Sequence, residues 1–507
     1  MTTFRLIVAV ATNFILMVST FAQSFTSFLY PIADTAYTQS FTPRIHNNHI
    51  YVLNATFENG FSGANSSVYI EEYAFDGLQL GHTRIDPVLP QLYQVVNLQP
   101  MLWLDDRLLV STDRITLTED QRAVVFGFNA DITNAWTYAF ASNTSVSTSG
   151  ILLSSNADQA FHASIRSSQT TDKDDLALSI IDKDGQVIWT KYTPLPAYQE
   201  REYLRVMAGA NTQDNVIALC QYGLPSETFT RNQLSVIDTS GNLLEHKDLP
   251  VAGEPLLANR PGSDTFYLTE SKQVNNHAYY CLNTYVGSVN NLINTACSDE
   301  IDAASSDYEY DMRVDPQGNV YVVGSTVLEG DSLYIGQVAK WSSAGELLWK
   351  KSYRLGAYPQ GVFGFAGLDF APNGKILISG GGNDDHALPF PQRFTWLLTL
   401  DENGCYDGNC NDLVVLEGNI VPTHELPTLE ATGFQVYPNP ASTAIMLNCP
   451  SAGQIRLFDM QGRILLDRNV TSGTLSLPLA SYPLGLYFLQ FSAGKTSMIT
   501  TKIIIER

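Results

Sequence analysis

Along most of its length the chain alternates apolar and polar residues in short runs closed by polar turns. That is the period-two pattern of half-buried strands. Three stretches share one form: "LSIIDKDGQVIW" from Leu178, "LSVIDTSGNLLE" from Leu234 and "VAKWSSAGELLW" from Val338. Each is a β-rich run, a polar turn holding a glycine, and a second β-rich run. A glycine takes positive φ there at little cost, as a tight hairpin requires. The turn glycines are Gly185, Gly241 and Gly345, with further copies at Gly77 and Gly404. Asp131 in "GFNADITNAW" stands where a glycine-free copy falls, and a missing copy is expected near Gly287. The period is about 54 residues.

A second hairpin signal interleaves with the first. "DPQGNVYVVG" from Asp315 and "APNGKILISG" from Ala371 are its clearest copies. Weaker ones start at His46, Leu104, Thr212 and Gly262, and the signal is poorest near Asn156. Each unit therefore holds two hairpins, or four strands, the size and content of a propeller blade. One blade cannot cover both faces of its own sheet, so neighbours must stack around an axis. The alternation excludes helical repeats. A β-solenoid would repeat at a shorter interval, and β-sandwich domains need about 100 residues each. The pattern predicts an all-β fold with a seven-bladed β-propeller over residues 23–412.

The remaining text adds limits. The 507 residues carry 51 acidic and 29 basic side chains, a formal charge of −22. A nucleic-acid binder needs a basic footprint, so no nucleic-acid partner is expected. The opening "MTTFRLIVAVATNFILMVSTFAQSF" has one basic residue, Arg5, then an apolar run and small residues at Thr20 and Ala22. This predicts a signal peptide over residues 1–22, cut before Gln23. The run is too short to span a bilayer, and no later segment is long enough, so no transmembrane span is expected in the mature chain. Export permits disulfides. Among the six cysteines, Cys281 with Cys297 and Cys405 with Cys410 lie close enough for local bridges, and the alternative is ordinary buried thiols. Cys220 and Cys449 fall in different domains.

Catalytic motifs are missing. The eight histidines are scattered without metalloprotease spacing, and no G-x-S-x-G elbow occurs. The most suggestive loop is "GGGNDDHALPF" from Gly380, which puts Asp384, Asp385 and His386 in a glycine-rich connection. It is a candidate ligand loop, against the alternative of a solvated turn. The carboxylates Asp172, Asp174, Asp175, Asp182 and Asp184 lack calcium-loop spacing, and the last two read as hairpin-turn residues. "DKDGQVIWTK", with a tryptophan four residues after the glycine, resembles the repeat of quinoprotein-like propellers. In that family such tryptophans, here Trp189 and Trp349, pack between blades. No cofactor is expected, because the polar ligands that a quinone would need cannot be named.

After "GCYDGNCND" the text changes. Residues 413–433 hold two prolines and little alternation, and read as a linker. Short alternating strands then follow from Ala444, Gln454, Arg463, Gly473, Gly485 and Met498, enough for a small β-sandwich. "VYPNPAS", "IRLFDMQGR", "LGLYFLQF" and a basic residue near the end resemble the type A C-terminal sorting domain of the type IX secretion system. The likeness covers residues 434–507 and implies an Ig-like fold. The motif positions are Pro438, Asn439, Pro440, Asp459, Gly462, Gly485, Tyr487 and Lys502. Thr443 stands where members often carry aspartate, and Cys449 is unusual. The resemblance implies two partners, the type IX translocon and a sortase-like peptidase. It also implies release or tethering at the cell surface. The function expected is binding or scaffolding outside the cell, with a glycan or protein ligand. The alternative is an extracellular glycan-active enzyme with its site at the propeller mouth, and a quinone redox propeller is a third reading.

Overall fold

The computed structural model describes residues between 26 and 505. Outside the description lie 1–25, 30–35, 41, 59–65, 76–78, 86–91, 95–100, 116–120, 141–144, 148–150, 157, 169–173, 195–201, 212–214, 224–229, 250–254, 275–276, 298–307, 328–333, 356–361, 385–391, 417–421, 424–434, 438–440, 450, 459–463, 480–481, 494–496 and 506–507. The chain forms two compact units, Met1–Pro422 and Thr423–Arg507. Regular structure among the described residues is entirely strand.

In the first unit seven sheets follow one another along the chain. They span residues 36–84, 92–139, 145–194, 202–249, 257–297, 308–355 and 362–400. Each is an up-and-down meander. The first strands of successive sheets touch one another, and the seventh sheet also touches the first, so the first strands gather around the axis of a ring. The buried apolar clusters follow the same plan, each shared by two consecutive sheets. Phe128, Leu53 and Ile70 join the first two. Leu109, Ala160 and Ile181 join the next pair, and the series continues around the ring. Ile50, Val52, Leu377 and Leu397 join the seventh sheet to the first. This closed ring is a β-propeller. A sheet buried on both faces by its neighbours reads as near-continuous apolar runs, as in "ILIS" and "VYVV".

Two strands extend sheets in ways the sequence did not suggest. Thr26–Leu29 pairs antiparallel with Gln392–Leu400, so an N-terminal strand completes the seventh sheet. Leu413–Leu416, placed in the linker by sequence, runs parallel to Leu347–Leu355 and buries Val414 and Leu416. Only its first four residues alternate, too few for the pattern to stand out.

The repeated turns have a common use. Gly185, Gly241, Gly287, Gly345 and Gly404 all hold positive φ, from 69° to 85°. Gly77 lies outside the described residues. In the second sheet Ile132 takes φ 60° in place of a glycine. The outer strand of one sheet then bonds to the turn of the next. Trp136 Nε1 donates to Lys183 O at 2.9 Å, and Thr193 Oγ1 to Gly241 O at 2.8 Å. Asn294 Nδ2 donates to Ala344 O at 2.7 Å, and Tyr353 OH to Gly404 O at 2.7 Å. Asp182 Oδ1 accepts from the Asp184 and Gln186 amides, which makes it a turn residue. Trp189 and Trp349 both pack against clusters between sheets.

Cys281–Cys297 and Cys405–Cys410 are disulfides, while Cys220 and Cys449 are free and buried. In the second unit, strands 435–437, 444–449 and 473–478 form one sheet. Strands 464–470, 453–458, 485–493 and 497–505 form the other. Ile445, Leu447, Leu457, Leu489 and Ile503 fill a shared core, the arrangement of a small β-sandwich.

Candidate functional site

Propeller sites are built where first strands converge on the axis, because residues distant in sequence meet there. One register position can be followed around the ring: the residue just before the one paired with the first core residue of the second strand. In sheets one to seven it is Arg44, Leu102, Leu153, Ala210, Ala258, Arg313 and Asp369. Three adjacent sheets, the sixth, seventh and first, therefore put charges where the other four put aliphatic residues.

These charges bridge sheets. Asp311, 2 % exposed, lies two residues before Arg313 on the same strand. Its Oδ2 accepts from Leu368 N–H at 3.1 Å and Thr42 Oγ1–H at 3.2 Å. Its Oδ1 accepts from Met312 N–H at 3.0 Å. Asp369 Oδ2 accepts from Ile45 N–H at 3.0 Å and Oδ1 from Phe370 N–H at 3.0 Å. Arg44 Nε–H donates to Met101 O at 2.9 Å and Nη1–H to Pro43 O at 2.8 Å. Each side chain thus reaches forward to backbone on the next sheet, which would otherwise be an unpaired strand edge.

Burial dominates the electrostatics. It pulls Arg44 down to about 10, helped by repulsion from Arg313 and opposed by Asp369 and Asp311. It raises the Asp369 carboxyl, against the pull of Arg44 and Arg313. Arg313 is the exception in bonding. Its Nε lies 3.4 Å from Asp311 Oδ2 in an ion pair, with the side chain 23 % exposed. Its Nε and Nη2 are both buried, with no hydrogen-bond partner among the described residues.

Further along the same two first strands, His46 stacks on Trp103 with ring centroids 3.9 Å apart and planes 7° from parallel. Tyr51 closes on Trp103 at 4.9 Å. Tyr51 OH reaches Glu72 at 3.5 Å, and the same carboxylate pairs with His49. Burial, then Glu72, pushes the Tyr51 phenol up to about 12. The residue before Glu72 on the strand, Glu71, is fully buried and is bonded by Asn54 at 2.8 Å and Tyr73 OH at 2.5 Å. Asn54 Oδ1 accepts from Thr395 on the seventh sheet at 3.2 Å.

One pair imitates a hydrolase. Ser111 Oγ and His162 Nε2 lie 3.2 Å apart. Both are buried, and burial lowers His162 to about 3. An imidazole that resists protonation so strongly is a poor base near neutrality. It also stacks on Phe140 at 4.5 Å, and reads as packing between the second and third sheets.

The sequence-derived candidates fall elsewhere. Asp384 ends strand Ile376–Asp384, opposite Gln392. Asp385 and His386 lie outside the described residues. Of the sorting-motif residues, Pro438, Asn439, Pro440, Asp459 and Gly462 also lie outside them. Gly485 holds φ 148° opposite Ile505. Lys502 sits opposite Phe488. Tyr487 is buried and donates its hydroxyl to Pro483 O at 2.8 Å. Sequence reading missed Arg44, Asp311, Arg313 and Asp369. Their signal was charge at one register position, visible only once the strand pairs are aligned. Among the described residues, no group of three or more His, Cys, Asp or Glu could hold a metal ion. No helix among them is long and apolar enough to cross a membrane.

Residues 435–506 match the secretion system C-terminal sorting domain family. The C-terminal unit is therefore an address for export to the cell surface or the extracellular space. The protein is a β-propeller carrying the type A sorting domain of the type IX secretion system, whose machinery it must meet. Three solved structures illustrate its likenesses. The β-propeller domain of the Trilobed protease from Pyrococcus furiosus aligns with TM-score 0.40 at 9 % identity, over 72 % of this chain and 94 % of that one. The GH93 α-L-arabinofuranosidase of Fusarium graminearum aligns with TM-score 0.40 at 10 % identity, over 59 % and 92 %. PorZ, a surface component of the type IX system of Porphyromonas gingivalis, aligns with TM-score 0.20 at 10 % identity, over 95 % and 100 %. No curated protein matches the chain.

Proposed function

We propose that this protein is a binding or scaffolding propeller at the cell surface, with a glycan or protein ligand. In this reading, residues 1–22 are a signal peptide cut before Gln23. Residues 434–507 are an Ig-like label, read by the type IX translocon and removed by a sortase-like peptidase. The observation that supports it most is the sorting-domain match at 435–506, attached to a large closed ring. Asp311 and Asp369 favour a holding role over acid–base catalysis, since the oxygens of both already accept backbone amides. Peptide mass spectrometry of the protein from medium and washed cells tests the reading. A start at Gln23 with the residues after roughly Glu430 missing supports it. An exported protein that keeps Arg507 would make the C-terminal sandwich a working module and overturn the label. Release of reducing sugar from polysaccharides by the purified propeller would favour the enzyme instead.

A further inference from the structure

The unused edge of Arg313 deepens that reading. The Nε–H bond and one Nη2–H bond run parallel on one side of a guanidinium, the side that grips a carboxylate with two hydrogen bonds. On Arg313 it is these two nitrogens that are buried without a partner among the described residues. A buried guanidinium edge left unbonded is costly. Asp311 does not fill it. Its ion pair with Nε is long, at 3.4 Å, and its oxygens already accept from Leu368, Thr42 and Met312. Arg44 stands near enough to repel Arg313, so two cations meet at this part of the axis in a chain of charge −22.

We propose that Arg313 is the anchor of a ligand site for a single carboxylate, supplied by a sugar acid or by a free peptide terminus. A neutral carbonyl offers one oxygen that both donors must share, whereas a carboxylate gives each its own charged oxygen. The free edge offers two parallel donors, which the two oxygens of a single carboxylate match one to one. The site rests on the binding reading above and gives it a ligand chemistry.

Calorimetric titration of the mature protein with D-glucuronate, N-acetylglycine and D-glucose is the test. Saturable binding of a carboxylate, and none of glucose, is expected. Tighter glucuronate points to a sugar acid, and tighter acetylglycine to a peptide terminus. Arg313→Lys keeps the charge but loses the fork, and should weaken binding about tenfold or more. Failure of both carboxylates to bind, or equal binding by the variant, overturns the proposal. Should Arg313→Lys not fold, the Nε–H resonance of Arg313 in the unaltered protein replaces it. A shift on adding glucuronate or acetylglycine supports the anchor, and no shift refutes it. A protein that binds a neutral oligosaccharide, undiminished by Arg313→Lys, loses the carboxylate site but keeps the binding function. One that binds no carboxylate, oligosaccharide or peptide loses both.

Discussion

The sixth, seventh and first sheets differ from the second to fifth at one register position. The first group places Arg313, Asp369 and Arg44 there, and the second places Leu102, Leu153, Ala210 and Ala258. Both groups close the same ring with the same meander. The fold therefore leaves this position free, because each sheet draws its stability from apolar faces and turn contacts. What the position does demand is local compensation. The charges occur in consecutive sheets, with opposite signs adjacent, and the bonds of Asp369 and Arg44 run from sheet to sheet. Where the buried polar group has no charged neighbour, as at His162, burial holds it neutral.

The sharpest way to break the contrast is Asp311→Ala. It leaves Arg313 without its counter-charge and the Leu368 amide without an acceptor. A loss of about 4 kcal/mol is expected for breaking a buried pair, read by urea unfolding. Ala258→Ser, at the register position that Arg313 holds in the sixth sheet, should cost well under half as much. Equal losses would erase the distinction between the two groups.

Acid distinguishes them next. The folded pKa of His162 is depressed, so its contribution is intact above about 6.5 and is lost as pH falls toward about 3. Stability should fall by about 1.4 kcal/mol per pH unit across that window, relative to His162→Gln. Asp369 has the opposite sign. Its folded pKa is raised, so its contribution is full below the unfolded value of about 3.8 and is lost as pH rises through the folded one. Asp369→Asn should therefore gain on the unaltered protein as pH climbs through that range. Denaturant melts at a series of pH values read both, and parallel curves for the Asp369 pair would contradict its burial.

The smallest effect lies outside the contrast. Thr193→Val and Tyr353→Phe each remove one hydroxyl bond from an outer strand to a neighbouring turn. Each should cost about 1 kcal/mol, in the neutral and the charged group alike. A much larger loss in one of them would mean that the turns do not carry equal load.

Much of the ring was legible because its signals are local. The glycine turns at Gly185, Gly241, Gly345 and Gly404 announce hairpins within a dozen residues, and the expected copy near Gly287 does hold positive φ. The alternation in "AIMLNC" and "GLYFLQF" likewise places two strands of the C-terminal sandwich. The candidate site was not legible, because Thr42, Asp311 and Leu368 meet only when the ring closes. "DMRVD" and "GLDFA" read as ordinary strand text until pairing aligns Arg313 with Asp369. Strand Thr26–Leu29 escaped for a related reason: its partner lies at the far end of the ring, and four residues carry no period.

That strand also sets an order of events. Thr26 lies opposite Leu398, so this early strand waits for nearly the last part of the ring before it has a partner. Contacts this distant form late, since a long loop must close first. A chain made from its N-terminus therefore carries this strand unpaired until the seventh sheet is complete. The latch of the seventh sheet is made early and set last.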